Sequence, residues 1–204
     1  MLSILDERIA TQNKIIEKLE TLIKGIRDYV LNNELQYTTR KKLGELCSIT
    51  TGKLDANAMK SEGKYPFFTC AEEVYRIDNF AFDTEALLIS GNGANLGYIH
   101  YYKGKFNAYQ RTYVLSDFTA DVHYIQIYLE AYLHKRIVLE KSTSNTPYIV
   151  LATLTEMPIV IPSIKIQKDI SSKILLLKSK LTTESHIRSY YNDMRQFLLS
   201  QMFI

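Results

Sequence analysis

The sequence lacks most of the features that mark secreted, membrane-bound and metal-binding proteins. Its two cysteines, Cys47 and Cys70, cannot form a disulfide framework, and they lack the paired spacing of a zinc site. No apolar run approaches the ~18 residues that a membrane-spanning helix requires. The first residues form too short an apolar stretch, without positive charge, for a signal peptide. We therefore expect a reduced, soluble protein of the cytoplasm.

Motifs of the common enzyme classes are also missing. The sequence has no G-x-x-x-x-G-K-[ST] loop and no nucleophile elbow, and its four histidines have no partners at metal-ligand spacing. The glycine-rich segment 91–97 is one residue longer than a dinucleotide-binding loop, and a predicted strand follows it instead of a helix. Residues 145–148 are similar to the Asn-Pro-Pro-Tyr box of DNA amino-methyltransferases, but they depart from it at the second position and are interpreted as a turn. We expect no catalytic residues, no metal ion and no cofactor.

Charge argues only weakly for a nucleic-acid partner. The 204 residues include 25 Lys and Arg against 22 Asp and Glu, which gives a formal charge of +3. A content of 46% hydrophobic and 23% charged residues is typical of a folded protein. Residues 1–36 carry a net charge of −1, residues 37–163 are neutral, and residues 164–204 carry +4. Local groups of residues are therefore more informative than the total charge.

Apolar residues recur every three or four positions through the first thirty residues, which is typical of a heptad helix. Gln12 is the polar exception in this stripe, and such a residue can fix helix register. After Pro162, with Ser163 as the expected N-cap, the same periodicity continues towards the end of the chain. The two segments also align with each other, Gln12 matching Glu184, as in an internal repeat. We predict two long amphipathic coiled-coil helices that pack antiparallel, either on each other or on another chain.

Between these helices, short β-prone segments are bounded by Gly, Asn, Asp or Pro. Strands are predicted at 43–51, 65–69, 86–90, 98–102, 112–115 and 159–161. One internal helix is predicted to begin after its N-cap Asp121 and to bury Ile125, Leu129, Leu133 and Ile137. The predicted fold class is α+β: one mixed α/β domain at 37–163, flanked by helices at 1–36 and 164–204.

Residues 86–116 contain no Asp or Glu and combine basic, amide and tyrosine side chains. Arg pairs well with guanine, Gln or Asn with adenine, and Lys with phosphate, so this mixture is typical of a DNA interface. For each tyrosine the alternative is a place in the core of a strand. Base readout is predicted among Asn92, Asn95, Tyr109, Gln110 and Arg111, with Tyr98 in the same site. Phosphate contacts are predicted for Lys53, Lys103, Lys105 and Lys141, with Asn145 in the same polar loop as Lys141.

Several motifs, in a fixed order along the chain, are similar to those of a known family. They are residues 5–9, residues 42–46 followed by Thr51 and Gly52, residues 88–91 followed by Gln110 and Arg111, residues 146–154, residues 158–162 followed by Gln167, and residues 198–203. In this order they resemble the specificity subunit of type I restriction-modification systems.

The resemblance implies a non-catalytic subunit that reads a bipartite DNA site and directs methyltransferase and restriction subunits to it. Family members usually carry two recognition domains, whereas this chain has one. It is therefore expected to be a half-length subunit that pairs with a second copy or another half, or the product of a truncated or split gene. The interface to the second copy or to the methyltransferase is predicted at Leu5, Ile9, Ile16, Leu19, Ile23, Ile174, Leu177, Leu181, Ile187, Met194 and Leu198.

Two other functions are compatible with the sequence alone. The first is a coiled-coil dimer whose tyrosine-rich domain binds another protein without reading DNA, which the neutral charge of residues 37–163 favours. The second is a small DNA-modifying enzyme, which is the least favoured because the sequence has no recognisable cofactor site.

Overall fold

A computed structural model of the chain describes residues 2–33, 39–140 and 148–202. The chain forms two compact units. The helical unit combines Met1–Asn33 with Asp169–Ile204, and the mixed unit comprises Glu34–Lys168. Across the described ranges, no helix is both long enough and apolar enough to cross a membrane.

The helical unit is made of α1 (Leu2–Asn33) and most of α4 (Ile164–Met202). Residues near the start of α1 contact residues near the end of α4, and later residues of α1 contact earlier residues of α4. Arg195 Nε donates to Asp6 Oδ1 at 2.7 Å, and Arg188 Nη1 donates to Asn13 Oδ1 at 3.4 Å. The two helices therefore pack antiparallel within one chain, which confirms the predicted pair of long helices.

Gln12 lies in the seam between these helices and is 6% exposed. Its Nε2 donates to the backbone oxygen of Glu184 at 3.1 Å and also to the Glu184 carboxylate. A buried amide left without such partners would cost about 1–3 kcal/mol. Because only one alignment of the helices satisfies it, Gln12 fixes the register of α1 on α4.

The predicted interface residues of the two helices differ in exposure. Leu5, Ile16, Leu19 and Ile174 are buried, whereas Ile9, Ile23, Leu177, Leu181 and Leu198 are half-buried. Ile187 and Met194 are exposed, and together with Tyr190 and Phe197 they form a second stripe on α4, here called the outer stripe. Steps of three and four residues place these four side chains on one face of the helix.

The mixed unit is built on a six-stranded sheet. Its strands are β2 (Ser48–Thr51), β3 (Tyr65–Phe68), β4 (Tyr75–Ile77), β5 (Phe82–Ser90), β6 (Ile99–Ala108) and β7 (Thr112–Ser116). They lie in the order β2-β7-β5-β6-β3-β4, and all neighbours are antiparallel except β3 and β6. A mixed sheet accompanied by helices confirms the predicted α+β class.

Four strands of this sheet contribute side chains to an apolar core. The buried members of this core are Phe68, Ala86, Leu88, Phe106, Ala108 and Val114. A parallel bridge between Leu54 and Tyr109 brings the chain after β2 onto the chain after β6. The backbone of Gly52 lies so close to the carbonyl of Ala108 that a Cβ at position 52 would overlap it. Glycine at this position therefore allows the two strand ends to meet.

Helix α2 (Val122–Leu139) packs against β5 and β6. Asp121 caps it as predicted, because its carboxylate accepts a hydrogen bond from Tyr124 N at 2.8 Å. The residues predicted to face the core are all buried: Ile125, Leu129, Leu133 and Ile137.

A separate two-stranded sheet pairs β1 (Thr39–Lys42) antiparallel with β8 (Pro158–Ile161), and the short helix α3 (Leu151–Thr155) leads into β8. Sequence patterns missed β1, β4 and α3. All four residues of β1 are exposed, so it has no apolar alternation, and α3 is too short for helical periodicity. Strands β5 and β6 also run beyond the predicted 86–90 and 98–102. Gly104, with a φ of 130°, lies within β6 without ending it.

The predicted strand at 43–51 is wrong in its first half. Leu43–Glu45 forms a 3₁₀ turn, and the strand begins only at Ser48. The Glu45 carboxylate accepts a hydrogen bond from Lys42 N at 2.7 Å, and Leu43 N donates to Met157 O at 2.9 Å. Local capping and one long-range hydrogen bond thus override the β propensity of this segment.

Candidate nucleic-acid interface

Residues 91–97 form the hairpin loop between β5 and β6. Backbone hydrogen bonds close it, from Gly97 N to Ser90 O at 2.8 Å and from Ser90 N to Tyr98 O at 2.9 Å. Gly93 and Gly97 have φ angles of 80° and 84°, which glycine adopts without strain. Because β6 follows directly, a strand occupies the place where a dinucleotide-binding fold has its helix N-terminus.

Two other segments pair with the start of this loop. Gly91 N donates to Arg111 O at 2.9 Å, and Ile149 N donates to Gly91 O at 2.8 Å. The next residue, Asn92, forms an antiparallel bridge with Tyr148. Segments from three distant parts of the sequence thus lie side by side.

Two further segments, residues 70–71 and residues 52–54, lie against the loop and the turn at 109–111. Asn95 Nδ2 donates to Cys70 O at 3.2 Å, and His100 Nε2 lies 3.0 Å from Ala71 O. Gln110 N donates to Leu54 O at 2.9 Å, which holds the neighbouring Lys53 beside the turn at 109–111. The combined surface, made of residues 52–53, 70–71, 91–97, 109–111 and 148–149, is here called the recognition end.

The recognition end presents polar side chains to solvent. Lys53, Gln110, Arg111 and Tyr148 are exposed, and Asn92 is half-buried. A narrow pocket of about 110 Å³ lies among them, lined by Thr51, Gly91, Gln110, Arg111, Tyr113, Tyr148 and Ile149. Guanidinium and amide groups at such a surface can pair with base edges, and an ammonium group can contact phosphate.

Positive charge at the recognition end comes from Lys53 and Arg111, and none of its residues is Asp or Glu. Asp55, Glu72 and Glu73 follow it closely in the chain. The cations of the recognition end therefore belong to the same surface as its amide and tyrosine groups.

Three of the predicted reading residues also have contacts within the protein. The Asn95 amide holds the loop against Cys70, and the Tyr98 ring packs edge-on against the His100 ring at a centroid distance of 4.8 Å. Tyr109 is half-buried, and its backbone nitrogen donates to Phe68 O at 2.9 Å. Base contacts from Asn95, Tyr98 and Tyr109 remain predictions.

Lys103 and Lys105 lie on β6 with partners of their own. Lys103 Nζ is 3.9 Å from Glu85 Oε1, and Lys105 Nζ lies over the Phe80 ring at 4.7 Å. The Tyr101 hydroxyl donates to the same Glu85 oxygen at 2.6 Å, and this hydrogen bond raises the pKa of Tyr101 to about 12. Both lysines therefore share their surroundings with a carboxylate or an aromatic ring.

The structure does not bring these two lysines to the recognition end. Glu85, opposite Lys103, is six positions before Gly91 along β5, a distance of about 20 Å at the rise of a strand. Phosphate contacts from Lys103 and Lys105 remain predictions. Lys141 and Asn145 lie outside the described residues.

Sequence reasoning missed Tyr113 and Tyr148 as parts of the site. The Tyr113 hydroxyl donates to Ile149 O at 2.8 Å, which holds the segment carrying Tyr148 against the loop, and burial raises the pKa of Tyr113. The sequence predicts a turn at Tyr148 and places it at the end of the polar loop that begins at Lys141, but it does not predict a contact with Asn92. Its pairing with Asn92 is a long-range contact that no local pattern reports.

Within residues 2–33, 39–140 and 148–202, no group of three or more His, Cys, Asp or Glu side chains could hold a metal ion. The polar and charged side chains of the recognition end are one guanidinium, one ammonium, amides, tyrosine hydroxyls and the Cys70 thiol.

Sequence comparison relates the chain to known proteins. The family described as type I restriction modification DNA specificity domain matches residues 38–189. The type I restriction enzyme EcoDI specificity subunit of Escherichia coli is 40% identical over 157 residues, which are 76% of this chain and 35% of that protein.

Solved structures share the fold. The S subunit of a type I restriction-modification system from M. genitalium matches with a TM-score of 0.76 and 21% identity, over 97% of this chain and 57% of its own. The HsdS subunit of Thermoanaerobacter tengcongensis matches with a TM-score of 0.69 and 15% identity, over 98% of this chain and 54% of its own. The chain thus spans about a third of the E. coli relative and a little over half of each solved chain.

Proposed function

The chain belongs to the family of type I restriction-modification DNA specificity domains, and from this premise we propose that it reads a specific DNA sequence with the recognition end. The observation that carries the proposal is the convergence of Lys53, Asn92, Gln110 and Arg111 from three separate segments. Ammonium, amide and guanidinium groups are the ones that position and read duplex DNA.

The reading groups have distinct roles in this proposal. Arg111 pairs with the O6 and N7 atoms of a guanine, and Gln110 or Asn92 pairs with the N6 and N7 atoms of an adenine. Lys53 contacts a phosphate and positions the domain without selecting a base. Tyr148, which is 52% exposed, packs against the sugar or a base at the margin of the groove.

The chain acts in this proposal as a non-catalytic subunit. It directs methyltransferase and restriction subunits to one part of a bipartite site and needs no catalytic residue or cofactor of its own. Residues 37–163 carry no net charge, so they attract DNA weakly without sequence contacts. The methyltransferase is therefore expected to supply much of the positive surface that holds the duplex.

The chain spans about half of its solved relatives, so a whole subunit requires a second recognition domain. In our proposal residues 37–163 form one recognition domain between helices at 1–36 and 164–204, and a second copy supplies the other domain. Because α1 and α4 already pair within one chain, the second copy binds outside that seam.

The outer stripe is the proposed contact with the second copy. Tyr190 and Phe197 are 63% and 62% exposed, which is unusual for large side chains repeated along one face of a helix. The net charges of residues 1–36 and 164–204, −1 and +4, favour α1 of one copy beside α4 of the other. Such a symmetric pair would read an inverted repeat with a gap.

Selection from a pool of random duplexes tests the proposal. The chain is incubated with the pool alone and with its methyltransferase, and the retained duplexes are sequenced. We expect a gapped inverted repeat, and its enrichment to be stronger when the methyltransferase is present. The variant Arg111→Ala, selected in parallel, is the control for readout by the recognition end.

Each outcome of the selection has a definite meaning. A single half-site without repeat would support DNA reading and contradict pairing with a second copy. No enrichment under either condition would contradict DNA reading and would favour the alternative, a coiled-coil dimer whose domain binds another protein. Family membership favours DNA reading over that alternative.

A further inference from the structure

A concave surface lies on α2, on a different face from the one that meets the recognition end. Gly97 of the loop lies near Leu133 and Ile137, whereas this second surface opens where α2 faces the start of β8. Its volume is about 310 Å³, within the range of pockets that bind small ligands or single side chains. Besides the ion-paired Arg136 and Glu140, its lining consists of Tyr128, Tyr132, Lys135, Leu139, Met157 and Pro158, and the whole lining is here called the α2 socket.

The floor and lip of the α2 socket are apolar. Met157 is buried, and the rings of Tyr128 and Tyr132 lie 4.8 Å apart between their centroids. At the lip Leu139 is 87% exposed, although it is a large apolar residue. The exposed leucine and the two tyrosines together form an apolar group on the surface, and such groups mark protein interaction sites more often than single exposed residues do.

The rim of the α2 socket is positively charged. Lys135 Nζ lies over the Tyr132 ring at 5.9 Å. Arg40 lies opposite Val160 in the β1–β8 pair, two residues along β8 from Pro158 of the socket. Arg136 is already paired with Glu140 at 2.8 Å. In the described part of the chain, no carboxylate forms an ion pair with Arg40 or Lys135.

We propose that the α2 socket binds an acidic peptide segment of a partner protein. An aromatic or aliphatic side chain of that segment enters between Tyr132 and Leu139, and neighbouring carboxylates pair with Lys135 and Arg40. Apolar burial supplies affinity, and the two cations supply orientation and selectivity for acidic sequences.

The combination of groups distinguishes a peptide from duplex DNA. Phosphate binding would use the cations, but a duplex presents a convex, polar backbone that gains nothing from an exposed leucine or an apolar floor. A peptide with an apolar anchor and flanking carboxylates uses both. The α2 socket is therefore a second interaction surface, and its existence does not depend on DNA reading.

A displayed library of random twelve-residue peptides, selected on the intact chain, tests this proposal. We expect enrichment of peptides with Phe, Leu or Trp flanked by Asp or Glu. In fluorescence anisotropy, Leu139→Asp and Lys135→Glu should each weaken an enriched peptide at least tenfold. Val138→Asp and His134→Glu, which alter exposed positions outside the socket, are the matched controls and should change affinity less than twofold.

Three results would overturn the proposal. One is the absence of enriched acidic, apolar peptides. Another is an enriched peptide whose affinity is the same for Leu139→Asp, Lys135→Glu and the controls. The third is displacement of the peptide by an equimolar duplex of random sequence, which would assign the surface to nucleic-acid phosphate. Because Leu139 and Lys135 are exposed, both variants should fold, and circular dichroism checks this.

Discussion

Replacing Arg111 with alanine separates DNA reading from the integrity of the fold. Arg111 holds its neighbours through its backbone carbonyl, which accepts hydrogen bonds from Gly91 N at 2.9 Å and from Cys70 Sγ at 3.4 Å. Its side chain is exposed. Truncation leaves the carbonyl in place, so we expect the free energy of unfolding to change by less than about 0.5 kcal/mol.

The loss of binding should be much larger and confined to one base pair. A good two-bond pairing of arginine with guanine contributes about 1–3 kcal/mol of discrimination, which is about 5- to 150-fold in affinity. Arg111→Lys keeps the positive charge but loses the planar fork that matches guanine. The Arg111→Lys variant should therefore bind duplexes with a changed base at that guanine as tightly as the wild type does. It should bind the selected duplex no more tightly than those changed duplexes.

The assay compares affinities for the selected duplex and for every single-base change in it, at one salt concentration. We expect the wild-type protein to lose affinity when one particular guanine is replaced. The same replacement should not change the affinity of Arg111→Ala or Arg111→Lys. Lys18→Ala, which changes an exposed lysine of α1 with no assigned DNA contact, is the control and should keep the wild-type profile. If Arg111→Ala retained discrimination at every position, the assignment of Arg111 to base reading would be refuted.

Three further predictions concern other parts of the molecule. Lys103→Ala should weaken all duplexes by about the same factor, and a change in the preferred sequence, measured by repeat selection, would contradict its assignment to phosphate. Ser90→Ala should raise the free energy of unfolding, measured in urea, by about 1 kcal/mol, because the buried Ser90 hydroxyl has no partner among the described residues. Ser116→Ala is the control: it loses the hydrogen bond from Ser116 to Asp117 and should not stabilise the protein. If the proposed dimer forms through the outer stripe, Tyr190→Asp and Phe197→Asp should each lower the mass measured in sedimentation to that of a monomer. A wild-type dimer whose mass the two substitutions leave unchanged would contradict the outer stripe as its contact.

The two long helices could be predicted because their signal is local. Heptad spacing is visible within one helix, and Gln12 could be read as a register residue before its partner was known. The N-cap at Asp121 is equally local, since the carboxylate acts on the first turn of its own helix. Such features depend on neighbours in sequence, and sequence patterns report them well.

The candidate site could be predicted only in part because its geometry is long-range. The cluster of Asn92, Gln110 and Arg111 is visible as composition, but the bridge between Asn92 and Tyr148 joins segments that are far apart in sequence. The same limit applies to Lys103. Its position in the segment 86–116 predicts a phosphate contact near the reading residues, whereas strand register places it beside Glu85. Pairing partners across a sheet are set by topology, which composition does not contain.

The antiparallel seam also has a consequence for how the protein is made. Asp6 and Arg195 are 189 positions apart in the sequence, so their contact in the seam cannot form until all the residues between them have been synthesised. At about 5–20 residues per second, α1 waits roughly 10–35 s for α4. During that time the recognition domain can fold, while the apolar face of α1 stays uncovered. Two nascent chains made side by side could then exchange α1 helices, so the timing of synthesis influences whether monomers or interlocked pairs accumulate.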